Sequence, residues 1–355
     1  MFELLYGELW RFGVDSSTIR LLRKMNLRTK LRTCTNGMLS SWFEVHRGFK
    51  QGSPESPIEF VASFNHVLDE LCRSGHCYRI STDVYSIFVF ADDLLFICNC
   101  PIKLQNGINI CKSCIDNIDM EANIGKSAVM IVGRYHSELK DCVSFSWGNE
   151  KIKVVEKYKY LGVDFVPKML SPQGWDTHAN RIMRNANFAF HKTAPFTMDR
   201  KIPLVMRIQN FGSMIKLVYT YALELWEPST EVGAEMKHSY LKKLLRTIGC
   251  SLFCRSQMLY FLTNLQGLDY HREYFRVLYK YRLYSSRMLG PHSYTLKLMD
   301  GSSTPYGKWF NSERHNLGSK RLMDKEKVLT SMLTWLLKHR TAYVQNRPAA
   351  VHFCR

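Results

Sequence analysis

The chain lacks any run approaching the roughly 20 apolar residues of a membrane-spanning helix, and no membrane role is read from it. Its first residues lack the basic-then-apolar order of a secretory signal. Low-complexity tracts are scarce and 46% of residues are hydrophobic, which excludes a disordered chain. Paired, loop-held zinc ligands are lacking too. The eleven cysteines are odd in number and scattered, which suits reduced thiols in an intracellular compartment. Cys111-x-x-Cys114 invites a zinc reading, as does Cys98-x-Cys100. Leu104, Ile108, Cys111, Ile115 and Ile118, however, form one helical apolar stripe, which makes Cys111 a core residue. Cys250-x-x-x-Cys254 lacks a second ligand pair.

Acidic residues are the other shortage. The chain has 31 Asp and Glu against 49 Lys and Arg, a formal charge of +18. The imbalance is one-sided. Residues 1–170 carry 21 basic against 19 acidic residues, and residues 171–355 carry 28 against 12. A basic second half fits a polyanionic partner, which such a charge steers and holds electrostatically.

Against that background one motif carries chemistry. Phe88-Val89-Phe90-Ala91-Asp92-Asp93 leads into Leu94-Leu95-Phe96-Ile97. Two apolar strands thus flank two adjacent carboxylates, the pattern of a tight hairpin. Solvated turn aspartates are the plain alternative. Adjacent carboxylates also suit a divalent cation with oxygen ligands, and through it phosphoryl transfer.

Three other blocks stand in order around it. Upstream is Arg47-Gly48-Phe49-Lys50-Gln51-Gly52-Ser53-Pro54-Glu55-Ser56-Pro57. Downstream are Asn123-Ile124-Gly125-Lys126-Ser127 and Tyr158-Lys159-Tyr160-Leu161-Gly162-Val163. In this order and spacing the four segments resemble the reverse transcriptase of non-LTR (LINE-type) retrotransposons, over roughly residues 1–290. The resemblance implies a right-hand polymerase palm that uses two Mg²⁺ ions, deoxynucleotides, an RNA template and a DNA primer. It implies an intracellular, nuclear setting. Asp92 and Asp93 match the family's metal ligands, with Ala91 beside them at the nucleotide. Gln51, Gly52 and Ser53 match the segment against the incoming nucleotide and template base. Lys126 matches the lysine near the leaving pyrophosphate, and Tyr160, Leu161 and Gly162 match the primer grip. Taken singly, Lys126 could merely close a turn, Tyr160 pack under a sheet and Gln51-Gly52 enter a helix. A group II intron maturase shares the aspartate hairpin and is an alternative, as is a nucleic-acid-binding remnant without catalysis.

Two departures from the family stand out. Family members carry another catalytic aspartate just before a helix resembling residues 2–14, which here begins the chain; Glu3 and Asp15 follow no strand-like run. The expectation is an N-terminally truncated palm, without fingers, that polymerises weakly or not at all. Glu55 and Glu59 stand where the family is usually apolar. Ser56-Pro57-Ile58-Glu59 reads as a capping box that makes Glu59 structural.

The predicted organisation is α+β: an antiparallel sheet with helices over residues 1–170, then a helical thumb-like region over 171–290. Helices are predicted at 2–12, at 17–28 with Asp15 and Ser16 as cap candidates, at 58–72 with Val61, Phe64, Leu68 and Leu71 on its apolar face, and at 102–118. Hairpins are predicted around Asn36-Gly37, at 84–98 and around Gly148-Asn149, with one strand over 158–165. Ser171-Pro172-Gln173-Gly174 marks the boundary. Beyond it, helices are predicted at 176–192, 202–226, 233–248, 255–264, 270–288 and 325–344, with a linker over 291–324; Tyr221-Ala222-Leu223-Glu224-Leu225-Trp226 resembles the family's segment in this region. Arg272, Arg276 and Lys280 recur every four residues among aromatics. They read either as a phosphate-tracking stripe or as a solvated face.

Overall fold

A computed structural model describes residues 2–285, apart from 28–29, 45–47, 51, 78, 81–82, 85, 134–135, 140, 170, 172, 251–253 and 255. The linker and helix predicted after residue 290 lie outside the described residues, as does Gln51. The backbone divides into two compact units, Met1–Glu156 and Lys157–Arg355. This division falls before the hairpin of Tyr160, whereas the sequence reading places the boundary after residue 170.

In the first unit, α1 (Phe2–Arg11) and α2 (Ser16–Asn26) are joined at Asp15. The Asp15 carboxylate accepts the backbone N–H groups of Ser17 and Thr18, the role predicted for an N-cap. Their hydroxyls bond the same carboxylate, which lies well below the usual range. Strands β1 (Lys30–Leu31) and β4 (Phe43–Glu44) pair outside β2 (Cys34–Thr35) and β3 (Met38–Leu39). Asn36 and Gly37 close that ribbon with φ of 51° and 81°, a type I′ turn.

Helix α3 (Ser56–Arg73) buries Ala62 against Leu5, Tyr6 and Leu9 of α1. Its N-cap is Glu55, with no side-chain cap bond, so the predicted capping box does not form. Glu59 is instead buried and accepts a hydrogen bond from Asn26 at 2.7 Å. It remains structural by a different partner. Val61, expected in the core, is exposed, and Ala62 and Val67 take the inward positions.

After β5 (Arg79–Ile80) and β6 (Asp83–Val84), the chain forms the hairpin β7 (Ile87–Phe90) and β8 (Asp93–Phe96). Helix α4 (Pro101–Asn117) packs with α3 around Phe64, Val67, Leu71, Cys111, Cys114 and Ile115, and Ile87, Val89, Leu94 and Phe96 cover this core. Cys111 and Cys114 are buried there, and burial pushes the Cys111 thiol up to about 12. Both are core residues. Leu104 and Ile108 of the same stripe turn to a second cluster around Ile124, Phe145 and Ile152. That cluster sits under β9 (Ala128–Val129), β10 (Phe145–Trp147) and β11 (Glu150–Val154), with α5 (His136–Leu139) between β9 and β10. Strand β9 joins β11 in parallel, so the sheets of this unit are not purely antiparallel.

The second unit opens with β12 (Tyr158–Tyr160) and β13 (Val163–Phe165), two strands where one was predicted. Helix α6 (Asp176–Thr197) follows. Then α7 (Leu204–Asn210) continues through a π-helical turn at Phe211–Lys216 into α8 (Leu217–Thr220). Next come α9 (Thr230–Ile248), α10 (Ser256–Thr263) and α11 (Leu268–Ser285). Their shared core includes Ile182, Phe190, Phe211, Tyr219, Trp226 and Tyr240. The predicted helix over 202–226 stops at Thr220, because Tyr221 is extended and Ala222 has φ of 51°.

Candidate active site and a clamped turn

The pairing Phe90↔Asp93 leaves a two-residue turn, Ala91-Asp92. Ala91 has φ of 53° and is the only one of the pair with positive φ. That is the first position of a II′-like turn, where glycine is usual. A left-handed alanine costs about 1–2 kcal/mol, and strain of this kind gathers at functional sites. Strand alternation sends Ile87, Val89, Leu94 and Phe96 inward. Phe88, Phe90, Asp93 and Leu95 take the opposite, exposed face. Asp92 is exposed at the turn itself. Among the described residues neither carboxylate has a hydrogen-bond or ion-pair partner.

This pair offers hard oxygen donors to Mg²⁺, which suits that cation. Among the described residues no group of three or more His, Cys, Asp or Glu is placed to hold a metal. The pair therefore fits the cation in chemistry and supplies only part of a coordination shell.

The other predicted residues are spread along the chain. Gly52 has φ of 88°, and the Ser53 hydroxyl donates to the Glu55 carboxylate. That bond holds the Glu55 carboxyl below its ordinary value. Lys126 lies in a turn whose backbone N–H bonds the Asn123 carboxamide oxygen at 3.1 Å. The turn leads into β9, which no ladder joins to β7 and β8 among the described residues.

Tyr160, Leu161 and Gly162 form the tip of the β12–β13 hairpin in the second unit. Leu161 and Gly162 have φ of 45° and 80°, a type I′ turn with leucine where asparagine is usual. Side chains grip this turn. Tyr221 donates its hydroxyl to the Leu161 carbonyl at 2.7 Å, and Arg181 donates to the Gly162 carbonyl. Arg181 also donates to Asp164, which is 2% exposed. Burial pushes the Asp164 carboxyl up. Arg181, Lys157 and His178 outweigh that and hold it below the usual range. His178 accepts the Asp164 N–H at Nδ1, 3.2 Å away, and its ring meets Trp226 edge-on at 4.8 Å. Burial, with Arg181 adjacent, lowers the His178 pKa to about 4. No sequence signal marked this network; Tyr221 and Trp226 stood out only as part of a family-like segment.

Arg272 and Arg276 require a correction. Both guanidinium groups are buried, pairing with Glu227 and with Asp269 and Glu273 of their own helix. They are inward ion pairs and present no stripe to phosphate. The Lys280 side chain lies outside the described residues.

Residues 2–165 match the family model of the reverse transcriptase (RNA-dependent DNA polymerase). The match covers just under half of the chain, contains the aspartate hairpin and ends with β13. No curated protein matches the chain. No described helix is long and apolar enough to cross a membrane.

Proposed function

We propose that this chain is an RNA-directed DNA polymerase domain of the non-LTR retrotransposon type, with weak catalysis. The carrying observation is the carboxylate pair Asp92–Asp93, held in solvent on a strained turn inside the region that matches the family. A greasy hairpin gains nothing in stability from two carboxylates that are unpartnered among the described residues, whereas phosphoryl transfer needs such donors. Bound there, two Mg²⁺ ions would neutralise the triphosphate and the attacking 3′ oxygen. In this reading Asp92 and Asp93 are the metal ligands, and Ala91 keeps the turn narrow beside the nucleotide. Gln51, Gly52 and Ser53 face nucleotide and template, with the positive φ of Gly52 supporting a close backbone approach. Lys126 stands near the leaving pyrophosphate, and Tyr160, Leu161 and Gly162 hold the primer end. RNA template, DNA primer and deoxynucleotides are the corresponding partners.

Weak catalysis follows from the donor count, since a shell completed mainly by water and substrate holds metal loosely. A non-catalytic nucleic-acid-binding protein is the second reading, and the same short donor set favours it.

Primer extension on an RNA template in Mg²⁺ separates the two. The first reading expects slow, template-directed incorporation that Asp92→Ala abolishes while nucleic-acid affinity is kept. Binding without incorporation, indistinguishable between the chain and Asp92→Ala, establishes the second.

A further inference from the structure

The turn Leu161-Gly162 sits at the centre of a closed circuit of side chains. From the Leu161 carbonyl the circuit runs to the Tyr221 hydroxyl. The Tyr221 carbonyl accepts the Trp226 indole N–H at 3.2 Å. Trp226 packs on His178, His178 bonds Asp164, Asp164 pairs with Arg181, and Arg181 returns to the Gly162 carbonyl. Two non-glycine residues with positive φ, Leu161 and Ala222, lie on it. Each such residue costs about 1–3 kcal/mol and persists only where its surroundings over-determine it. The fit is tight, since a Cβ on Gly162 would lie 2.9 Å from Tyr221 Cε1.

The circuit fixes a direction as well as a place. No described peptide is cis. The Gly162 N–H therefore points opposite to the Leu161 carbonyl. With that carbonyl drawn to Tyr221, the N–H is turned to the other side of the turn. Tyr221 and Leu161 are 49% and 38% exposed, so the tip reaches solvent. An unaided Leu-Gly sequence would not hold this conformation, because leucine resists the left-handed region.

We infer that Tyr221 and Arg181 are positioning residues that aim the Leu161-Gly162 peptide at a nucleic-acid terminus. This rests on the polymerase reading of the turn as the primer grip. Neither side chain need touch the nucleic acid; each acts through a backbone carbonyl.

The test uses the full chain and two labelled probes, a DNA primer on an RNA template with a recessed 3′ end, and a blunt duplex of the same sequence. The unaltered chain binds the recessed end more tightly. Tyr221→Phe, which keeps the ring and loses one hydroxyl, cuts that preference about five- to tenfold, the worth of one hydrogen bond. Adding Leu161→Asn restores it, because Asn-Gly forms a type I′ turn unaided. Arg181→Lys, which keeps a cation beside Asp164, lowers the preference by an independent route should Tyr221→Phe fold poorly. Retention of the preference in Tyr221→Phe and Arg181→Lys overturns the inference alone. Loss that Leu161→Asn does not restore also overturns it, by marking Tyr221 as a direct contact. No preference in the unaltered chain overturns the primer-grip reading, and the inference with it.

Discussion

The Phe96 ring occupies the space a side chain at Gly107 would need: a Cβ there would lie 2.1 Å from Phe96 Cε1. Strand β8 and helix α4 thereby meet ring to backbone, which seats the aspartate hairpin on its core. Gly107→Ala is expected to destabilise the chain by about 1–3 kcal/mol, because overpacking outweighs the gain in helix propensity. Gly7 of α1 is also helical, and a Cβ there would meet nothing within 4 Å. Gly7→Ala is expected to stabilise by roughly 0.5–1 kcal/mol. Urea midpoints of the two variants should move in opposite directions.

Lys243 is 6% exposed and donates to the Tyr219 hydroxyl at 3.0 Å and the Ser239 hydroxyl at 2.7 Å, with no carboxylate among these partners. Burial lowers its pKa to about 8. Between pH 8 and about 10 the unfolded chain binds more protons at this residue than the folded one, so stability rises with pH there. Burial also raises the Tyr219 pKa to about 12, which opposes the trend at higher pH. Lys243→Met should raise the unfolding midpoint at pH 7 and flatten the slope above pH 8. Tyr219 and Ser239 remain bonded to each other at 2.9 Å. An unchanged slope would show that Lys243 is solvated in the fold.

His178 and His271 both have pKa values lowered to about 4 by burial. Unfolded, each takes up a proton near pH 6.5. Stability should therefore fall as pH drops from 6.5 to 4, as the unfolded state binds more protons. His178→Asn keeps an acceptor for the Asp164 N–H and removes the titration. Its stability–pH curve, followed by tryptophan fluorescence, should be shallower in that window.

On the proposed nucleic-acid binding, exposed basic residues of α6 are expected to meet phosphate where the buried pair of α11 cannot. Arg184 and Lys192 are exposed on either side of Phe188, itself 72% exposed. Replacing both by Gln should reduce the salt slope of binding by about two, one for each phosphate no longer neutralised. Replacing Arg272 and Arg276 by Met should instead lower stability, since Glu227 and Glu273 lose these partners and Asp269 is left with Lys237. It should leave the salt slope of the folded fraction unchanged.

The aspartate hairpin was legible because two apolar runs flank the adjacent carboxylates; its register was not, because both runs are apolar at every position, and the turn falls on Ala91-Asp92 with Asp93 in β8 instead of on the two aspartates. Asp15 and Asn36-Gly37 were legible through cap and turn chemistry. The β12–β13 turn was not, because leucine at a left-handed position runs against local preference and only distant donors hold it. A helix that apolar periodicity alone would carry to Trp226 ends at Thr220, where Tyr221 turns extended and Ala222 takes a positive φ. Periodicity likewise marked a face on α11 without telling whether Glu227 or solvent covers Arg272 and Arg276. Glu59 showed its charge and its burial together only once Asn26 was beside it.

The π-helical turn at Phe211–Lys216 amounts to one residue of slack in an otherwise regular rod. An α-helix advances about 100° per residue, and the wider turn takes up one extra residue with almost no change of bearing. Deleting Gly212, where an added Cβ would meet nothing within 4 Å, would let the rod close to regular α geometry and leave Tyr221 directed at Leu161. The aim of the phenol is thus buffered against a count of residues: the loss of one residue nine positions upstream is absorbed by the turn, with every contacting side chain intact.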